Sequence, residues 1–224
     1  MRVFARSLVV VVLALSGALS GAAPEPGAIP YAALYQALRP VLELRGYDRL
    51  LASATVQSKL PGVQAASIRL VIHRRGGPQP VNVAADGSFD FPLTGELLEE
   101  NPMVTSNQPR GSLTLAVTLS LRPVSGLRIS YGELAAGIDQ ARAALASDPA
   151  RVGTGIRGVE LRFPPGHMAT VVLSGRSERL LMADAGGVVI INDSQEWRSS
   201  DTEVVFSEPP AKILPLLDQP GDLP

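Results

Sequence analysis

No cysteine occurs anywhere in the chain, and that absence removes several possibilities at once. A disulfide cannot staple the fold, a lipid-modified cysteine cannot anchor the N-terminus, and thiol chemistry is excluded. Histidine is almost as scarce, with only His73 and His167, so the nitrogen and sulfur ligands of a structural zinc site are missing. Of the 20 basic residues only Lys59 and Lys212 are lysines, and no basic run is longer than Arg74-Arg75. With a formal charge of -1 and scattered arginines, the chain has no electrostatic footprint for a phosphate backbone, so nucleic acid is not an expected partner. After the leader, no apolar run approaches the ~20 residues that cross hydrocarbon.

The leader itself is well marked. Arg2 and Arg6 precede an apolar run from Leu8 to Leu15, which breaks into SGALSGAA, Ser16 to Ala23. A positive region, a short apolar region and a small-residue zone, in that order, predict a secretory signal peptide over residues 1–22, cleaved near Ala22 or Ala23. Ser16, Gly17, Ser20 and Gly21 interrupt the run and weigh against a membrane anchor. Loss of the two arginines takes the formal charge from -1 to -3. The expected product is soluble and periplasmic, or secreted, with no integral membrane segment after cleavage. Its 46 % apolar residues must build a packed core in place of cross-links.

Hydrophobic periodicity then sets the fold class. Tyr31, Leu34, Tyr35, Leu38, Val41 and Leu42 recur at helical spacing behind Pro30, and Pro40 is expected to kink or end that helix. From Leu51 the period changes to two, with Ile68, Leu70 and Ile72 on one face and Asp86-Gly87 as a hairpin turn between Val81/Val83 and Phe89/Phe91. The clearest half-buried strand is SLTLAVTLSL, with Leu113, Leu115, Val117, Leu119 and Leu121 on one face. Ser130 and Glu133 have capping-box spacing and open a second helix with the stripe Leu134, Ile138, Ala141 and Leu145, stopped at Asp148-Pro149. Alternation resumes in GVELRF, MATVVLSG, ERLLMADA, GGVVIIN and TEVVFSE.

This order predicts an α+β fold, antiparallel sheets each with a helix on one face. Ile29-Pro30-Tyr31-Ala32-Ala33-Leu34 recurs as Ile129-Ser130-Tyr131-Gly132-Glu133-Leu134, and the Ala85-Asp86-Gly87 turn has a counterpart at Ala183-Asp184-Ala185-Gly186, which suggests a tandem repeat of helix plus four or five strands. The expected organisation is a signal peptide to residue 22, one unit over 23–127, a second over 128–210, and a flexible tail over 211–224.

Catalytic arrangements are not found. The mature chain has neither a G-x-S-x-G elbow nor an S-x-x-K pair to activate a serine. GTGIRG spells G-x-G-x-x-G at Gly153, Gly155 and Gly158, but it follows a helix and leads into a strand pattern, so it reads as a loop without a phosphate-binding helix N-terminus. Asp193, Glu196, Asp201 and Glu203 lack the spacing of a calcium loop. No cofactor and no metal are expected. The long stretch FPLTGELLEENPMVTSNQP, Phe91 to Pro109, reads as a connection with one helical turn capped by Thr94. If it contacts a partner, the amides of Asn101, Asn107 and Gln108 are the donors and acceptors to suspect. Trp197, the only tryptophan, is read as sheet cover, with a partner anchor as the alternative.

YAALYQAL, FPLTGELLEENPMV and RGVELRF, in that order, resemble the pattern of an uncharacterised family of secreted domains of unknown function from Gram-negative bacteria. The resemblance implies export and an α+β domain and carries no catalytic residues with it. The expected function is therefore a non-enzymatic binding or interaction module of the cell envelope, its partner an envelope protein or cell-wall component. An envelope hydrolase with a site assembled from distant acidic or serine residues is the alternative.

Overall fold

Pro30 and Ser130 both stand with extended backbone immediately before a helix, and from each the chain runs through the same series of elements. The computed structural model describes residues 26–147, 155–199 and 201–218. They form two bodies, one of residues 26–45 and 52–118, the other of 46–51 and 119–218. The fold is α+β, with antiparallel sheets.

The first body contains β1 (Pro26–Pro30), α1 (Tyr31–Glu43), β2 (Leu50–Ser58) from residue 52 on, β3 (Leu70–Arg74), β4 (Gly77–Val81), β5 (Ser88–Phe89), α2 (Gly95–Glu100), β6 (Met103–Pro109) and β7 (Leu113–Leu121) as far as residue 118. Its ladders run β1-β6-β3-β4 and β5-β2-β7. Tyr31, Leu34 and Leu38 of α1 share one core with Val56, Leu70, Ile72, Phe89, Phe91, Leu115 and Val117. The Tyr31 ring stacks on Phe91 with centroids 5.3 Å apart. The alternation of SLTLAVTLSL appears as burial, since Leu115, Val117, Leu119 and Leu121 are all within 8 % exposure.

The second body repeats that series: β8 (Arg128–Ser130), α3 (Tyr131–Ala146), β9 (Ile156–Arg162), β10 (Thr170–Ser174), β11 (Glu178–Met182), β12 (Val188–Asn192), α4 (Gln195–Arg198), β13 (Glu203–Phe206) and β14 (Lys212–Leu217). Its ladders run β8-β13-β10-β11 and β12-β9-β14, and the end of β7 joins the latter where Leu121 faces Ile213. The capping box at α3 is complete. Ser130 Oγ accepts from Glu133 N at 3.1 Å, and Glu133 Oε2 accepts from Ser130 N at 3.2 Å.

Equivalent positions make equivalent bonds in the two halves. Tyr31 N donates to Pro102 O at 2.9 Å and Tyr131 N to Thr202 O at 2.8 Å. Each phenol oxygen accepts from the backbone N–H of a helix cap, Thr94 for Tyr31 at 3.1 Å and Ser194 for Tyr131 at 3.3 Å. Both hairpin turns end in a positive-φ glycine, Gly87 at 83° and Gly187 at 77°. A Cβ on either would lie 2.6 Å from a backbone oxygen of the neighbouring strand, Val56 O or Phe163 O, so glycine is required for space as well as for φ. The internal repeat suggested by the short matches at Tyr31 and Tyr131 is thus present element by element.

Several expectations need correction. The stretch from Phe91 to Pro109 is not a loop throughout. Thr94 does cap a short helix, its Oγ1 accepting from Leu97 N at 3.3 Å, but Met103–Pro109 is strand β6, paired on both sides between β1 and β3. Residues 212–217, expected in a flexible tail, form β14 along β9, with Ile213 and Leu214 buried. Lys212 and Pro215 hide that strand in the sequence. Helix α1 continues through Pro40 to Glu43. Gly158 belongs to β9 rather than to a loop, while Asp148-Pro149 and Gly153 lie outside the described residues. The bodies part near residue 118 rather than 127, and residues 46–51 belong with the second, held there by Gln140.

Candidate functional site

Gln140 on α3 draws the segment before β2 against the helix. Its Oε1 accepts from Arg49 N at 3.0 Å and its Nε2 donates to Asp48 Oδ1. Arg122, leaving β7, donates its N–H to Arg49 O at 2.9 Å. Gly137 completes the fit, since a Cβ there would meet Leu121 Cδ2 at 2.7 Å, and glycine lets α3 approach β7 closely.

These contacts leave an open cleft of about 370 Å³ in the second body. Its floor is apolar, formed by Leu121, Leu134 and Ile213, each at most 5 % exposed. Arg49, Arg122 and Arg128 are among the residues that line it. Arg128 pairs with Glu203 at 3.1 Å in an exposed contact. Arg49 reaches only the Glu133 carbonyl, at 3.4 Å. Among the described residues no carboxylate lies within ion-pair distance of Arg49 or Arg122. The two acids at the cleft are already engaged, Glu133 in the capping box and Asp48 by Gln140, whose hydrogen bond, helped by the charges of Arg49 and Arg122, holds the Asp48 carboxyl below its usual range against some desolvation. Two cations in no direct ion pair, Arg49 and Arg122, beside an apolar floor suit a small anion with a non-polar portion.

A second polar cluster in the same body is closed on itself. Asp193 accepts from Arg142 at 2.9 Å and from Arg198 at 2.7 and 2.8 Å, and Tyr131 Oη donates to it at 3.1 Å. Arg198 also grips Asp139 with two bonds of 2.8 Å, and Arg142 Nη2 donates to Ile156 O at 2.7 Å. Burial alone would raise the Asp193 carboxyl, but the two arginines outweigh it and bring it down to about 2. Burial, reinforced by the Asp193 charge, pushes Tyr131 up to about 12. Each of these groups has its partners, and the cluster is a clamp fastening α4 to α3.

Two of the residues singled out from sequence, Asn101 and Asn107, bond the backbone. Asn101 takes the left-handed conformation at the end of α2, φ 45°, and its Oδ1 accepts from Ala32 N at 2.9 Å, capping α1 where Pro30 has no side chain to do so. Asn107 Oδ1 accepts from Arg69 N and its Nδ2 donates to Ser67 O, both at 2.9 Å, which extends the β6 pairing by a side chain. Gln108 Nε2 donates to Asn107 Oδ1 at 3.4 Å. Trp197 is 7 % exposed on α4. His73 contacts Thr105 Oγ1 at 2.8 Å in the first body, and His167 contacts Glu208 at 2.9 Å in the second. The cleft arginines carried no signal of spacing; only the folding of α3 against the end of β7 and residues 46–51 assembles them. No family model, curated protein or solved structure matches the chain, so the cleft is read from its own geometry.

Proposed function

We propose that this is an exported, non-enzymatic binding module of the Gram-negative cell envelope, and that the cleft of its second body takes a carboxylate- or phosphate-bearing envelope component by its anionic end. The observation that carries the reading is the pair Arg49 and Arg122, charged, beside an apolar floor and in no direct ion pair, with the exposed Asp48 carboxylate acting on them only through its field. The leader pattern and the family resemblance support export. The closed Asp193 cluster supports a binding rather than a catalytic role, because its acids are already saturated by arginines.

Titration of the chain from residue 23 with hexyl phosphate, hexanoate and hexanol tests the cleft. The two anions are expected to bind and the neutral alcohol not to. Arg122→Glu, on an exposed side chain with no ion pair among the described residues, should weaken the anions at least about tenfold, the scale of one lost charge-assisted hydrogen bond. Equal binding of hexanol, or an unchanged response of the variant, would remove the cleft from consideration. Export is checked separately by expressing the full chain in a Gram-negative host. The periplasmic fraction should contain a product lacking the first 22 or 23 residues, and an uncleaved cytoplasmic product would contradict it.

A further inference from the structure

The two halves of the repeat treat their outermost strand in opposite ways. In the first body β4 lies at the edge of its ladder, paired only with β3, with Pro78 opposite His73 and Pro80 opposite Val71. Proline has no N–H, so both residues stand where the backbone faces the open edge, and they deny that edge to another strand. In the second body the corresponding strand is β11, and it has no proline.

The register fixes what β11 offers. Ala183 N donates to Ala169 O, so the bonded pairs of β10 and β11 are Ala169/Ala183, Val171/Leu181 and Leu173/Arg179. Glu178, Leu180 and Met182 therefore turn their N–H and C=O groups outward. Their side chains share the outer face with Thr170, half-buried Val172 and Ser174, and that face exposes large apolar groups. Leu180 is 59 % exposed, Met182 60 % and Met168, just before β10, 82 %.

We infer that β11 pairs antiparallel with β11 of a second copy of this chain, about a two-fold axis at Leu180. In that register Leu180 faces Leu180 and Glu178 faces Met182, so all the outward backbone groups find partners. The choice of a second copy rests on charge. Arg176 precedes the strand and Asp184 follows it, equidistant from Leu180, so the axis sets Arg176 of each copy toward Asp184 of the other. Among the described residues Arg176 has no ion-pair partner, and Asp184 uses Oδ1 to hold Gly186 N and Val188 N, leaving Oδ2 free. A strand positive at one end, negative at the other and apolar between is complementary to itself when reversed. The contact extends a four-stranded ladder to twice its width. It is smaller than a standard interface, which places the dissociation constant in the range of about 1–100 μM.

Sedimentation velocity on the chain from residue 23, across that concentration range, should show a monomer–dimer equilibrium. Leu180→Pro repeats what Pro80 does in the first half and removes only an outward N–H, so it should weaken the dimer at least tenfold with an unchanged melting curve of the monomer. Leu180→Glu, which opposes two carboxylates at the axis, serves the same purpose should the proline variant fold poorly. Because the chain has no cysteine, Leu180→Cys adds a direct probe. The two Cα atoms are expected about 5.5 Å apart, within disulfide reach, and mild oxidation should cross-link this variant far faster than Met168→Cys. A monomer at every concentration, association undiminished in both Leu180→Pro and Leu180→Glu, or equal cross-linking of the two cysteine variants would each overturn the pairing.

Discussion

Asp193→Asn should lower the unfolding free energy of the second body by about 2–3 kcal/mol at neutral pH. The wild-type carboxylate is 9 % exposed and holds two arginines, Arg142 at 38 % and Arg198 at 21 % exposure. The amide keeps one acceptor for Arg198 or Tyr131 but removes the charge that balances the guanidiniums. Asp139 remains to compensate in part, which keeps the loss below that of a fully buried broken pair. Trp197, the sole tryptophan and four residues from Asp193, is a built-in fluorescence probe for urea unfolding of this region.

The pH dependence follows from the sign of the shift. The Asp193 carboxyl is brought down to about 2 in the folded chain, from an ordinary value of 3.8. Its contribution is therefore complete above about pH 5 and is lost progressively as the pH falls below 4 toward 2. The gap between wild type and Asp193→Asn should narrow over that window. A gap that stays constant from pH 5 to pH 2 would show that the carboxylate charge is not what stabilises the clamp.

Parts of this fold lie open in the sequence because one local rule suffices to read them. The alternation from Leu113 to Leu121, the Ser130/Glu133 box, and the turns at Asp86-Gly87 and Ala183-Asp184-Ala185-Gly186 each express a backbone requirement within a few residues. Strand β6 escapes that kind of reading. Ser106 is buried where an apolar residue would be expected and Met103 is 42 % exposed, so MVTSNQP shows no alternation although it lies inside its ladder. The amides that looked like contact groups are exposed in composition but engaged in structure, since Asn101 and Asn107 bond the backbone in place of a cap and a ladder bond. The cleft is illegible for a different reason. Arg49, Arg122 and Arg128 come from three separate segments, and no pattern in a scattered set of arginines marks which will converge.

The repeat also separates scaffold from specialisation. Tyr31 and Tyr131 occupy one framework position and accept the same cap N–H, yet Tyr31 donates to the Pro92 carbonyl at 2.5 Å whereas Tyr131 donates to a carboxylate. The residue after Pro92 is Leu93; the residue after Asn192 is Asp193, and the arginines that Asp193 holds, Arg142 and Arg198, stand where the first half has Leu42 and Leu98. Edge prolines Pro78 and Pro80 give way to Glu178 and Leu180 in the same manner. Clamp, cleft and open edge all fall in the second body.

Gly158→Ala should be at least as damaging as the loss of Asp193, with a cost of about 3 kcal/mol or more. Gly158 lies in β9 opposite Asn192 of β12. A Cβ there would stand 2.1 Å from Ile191 O, 2.8 Å from Asn192 Cα and 3.0 Å from Asp193 N. All three are backbone atoms and none can rotate away, so the ladder itself must open. Gly137→Ala is the control, because its nearest neighbour is the Leu121 Cδ2 end of a flexible side chain at 2.7 Å. That variant should lose about 1–2 kcal/mol, and it should also crowd the cleft floor. Denaturant midpoints for the two variants decide the matter, and a Gly158→Ala loss within about 0.5 kcal/mol would refute the steric argument. Coupling gives a sharper check. Asp193 N bonds Arg157 O at 2.7 Å, one residue from Gly158, so pushing β12 aside should also displace the Asp193 carboxylate. The double variant Gly158→Ala with Asp193→Asn should then be more stable than the sum of the single losses implies.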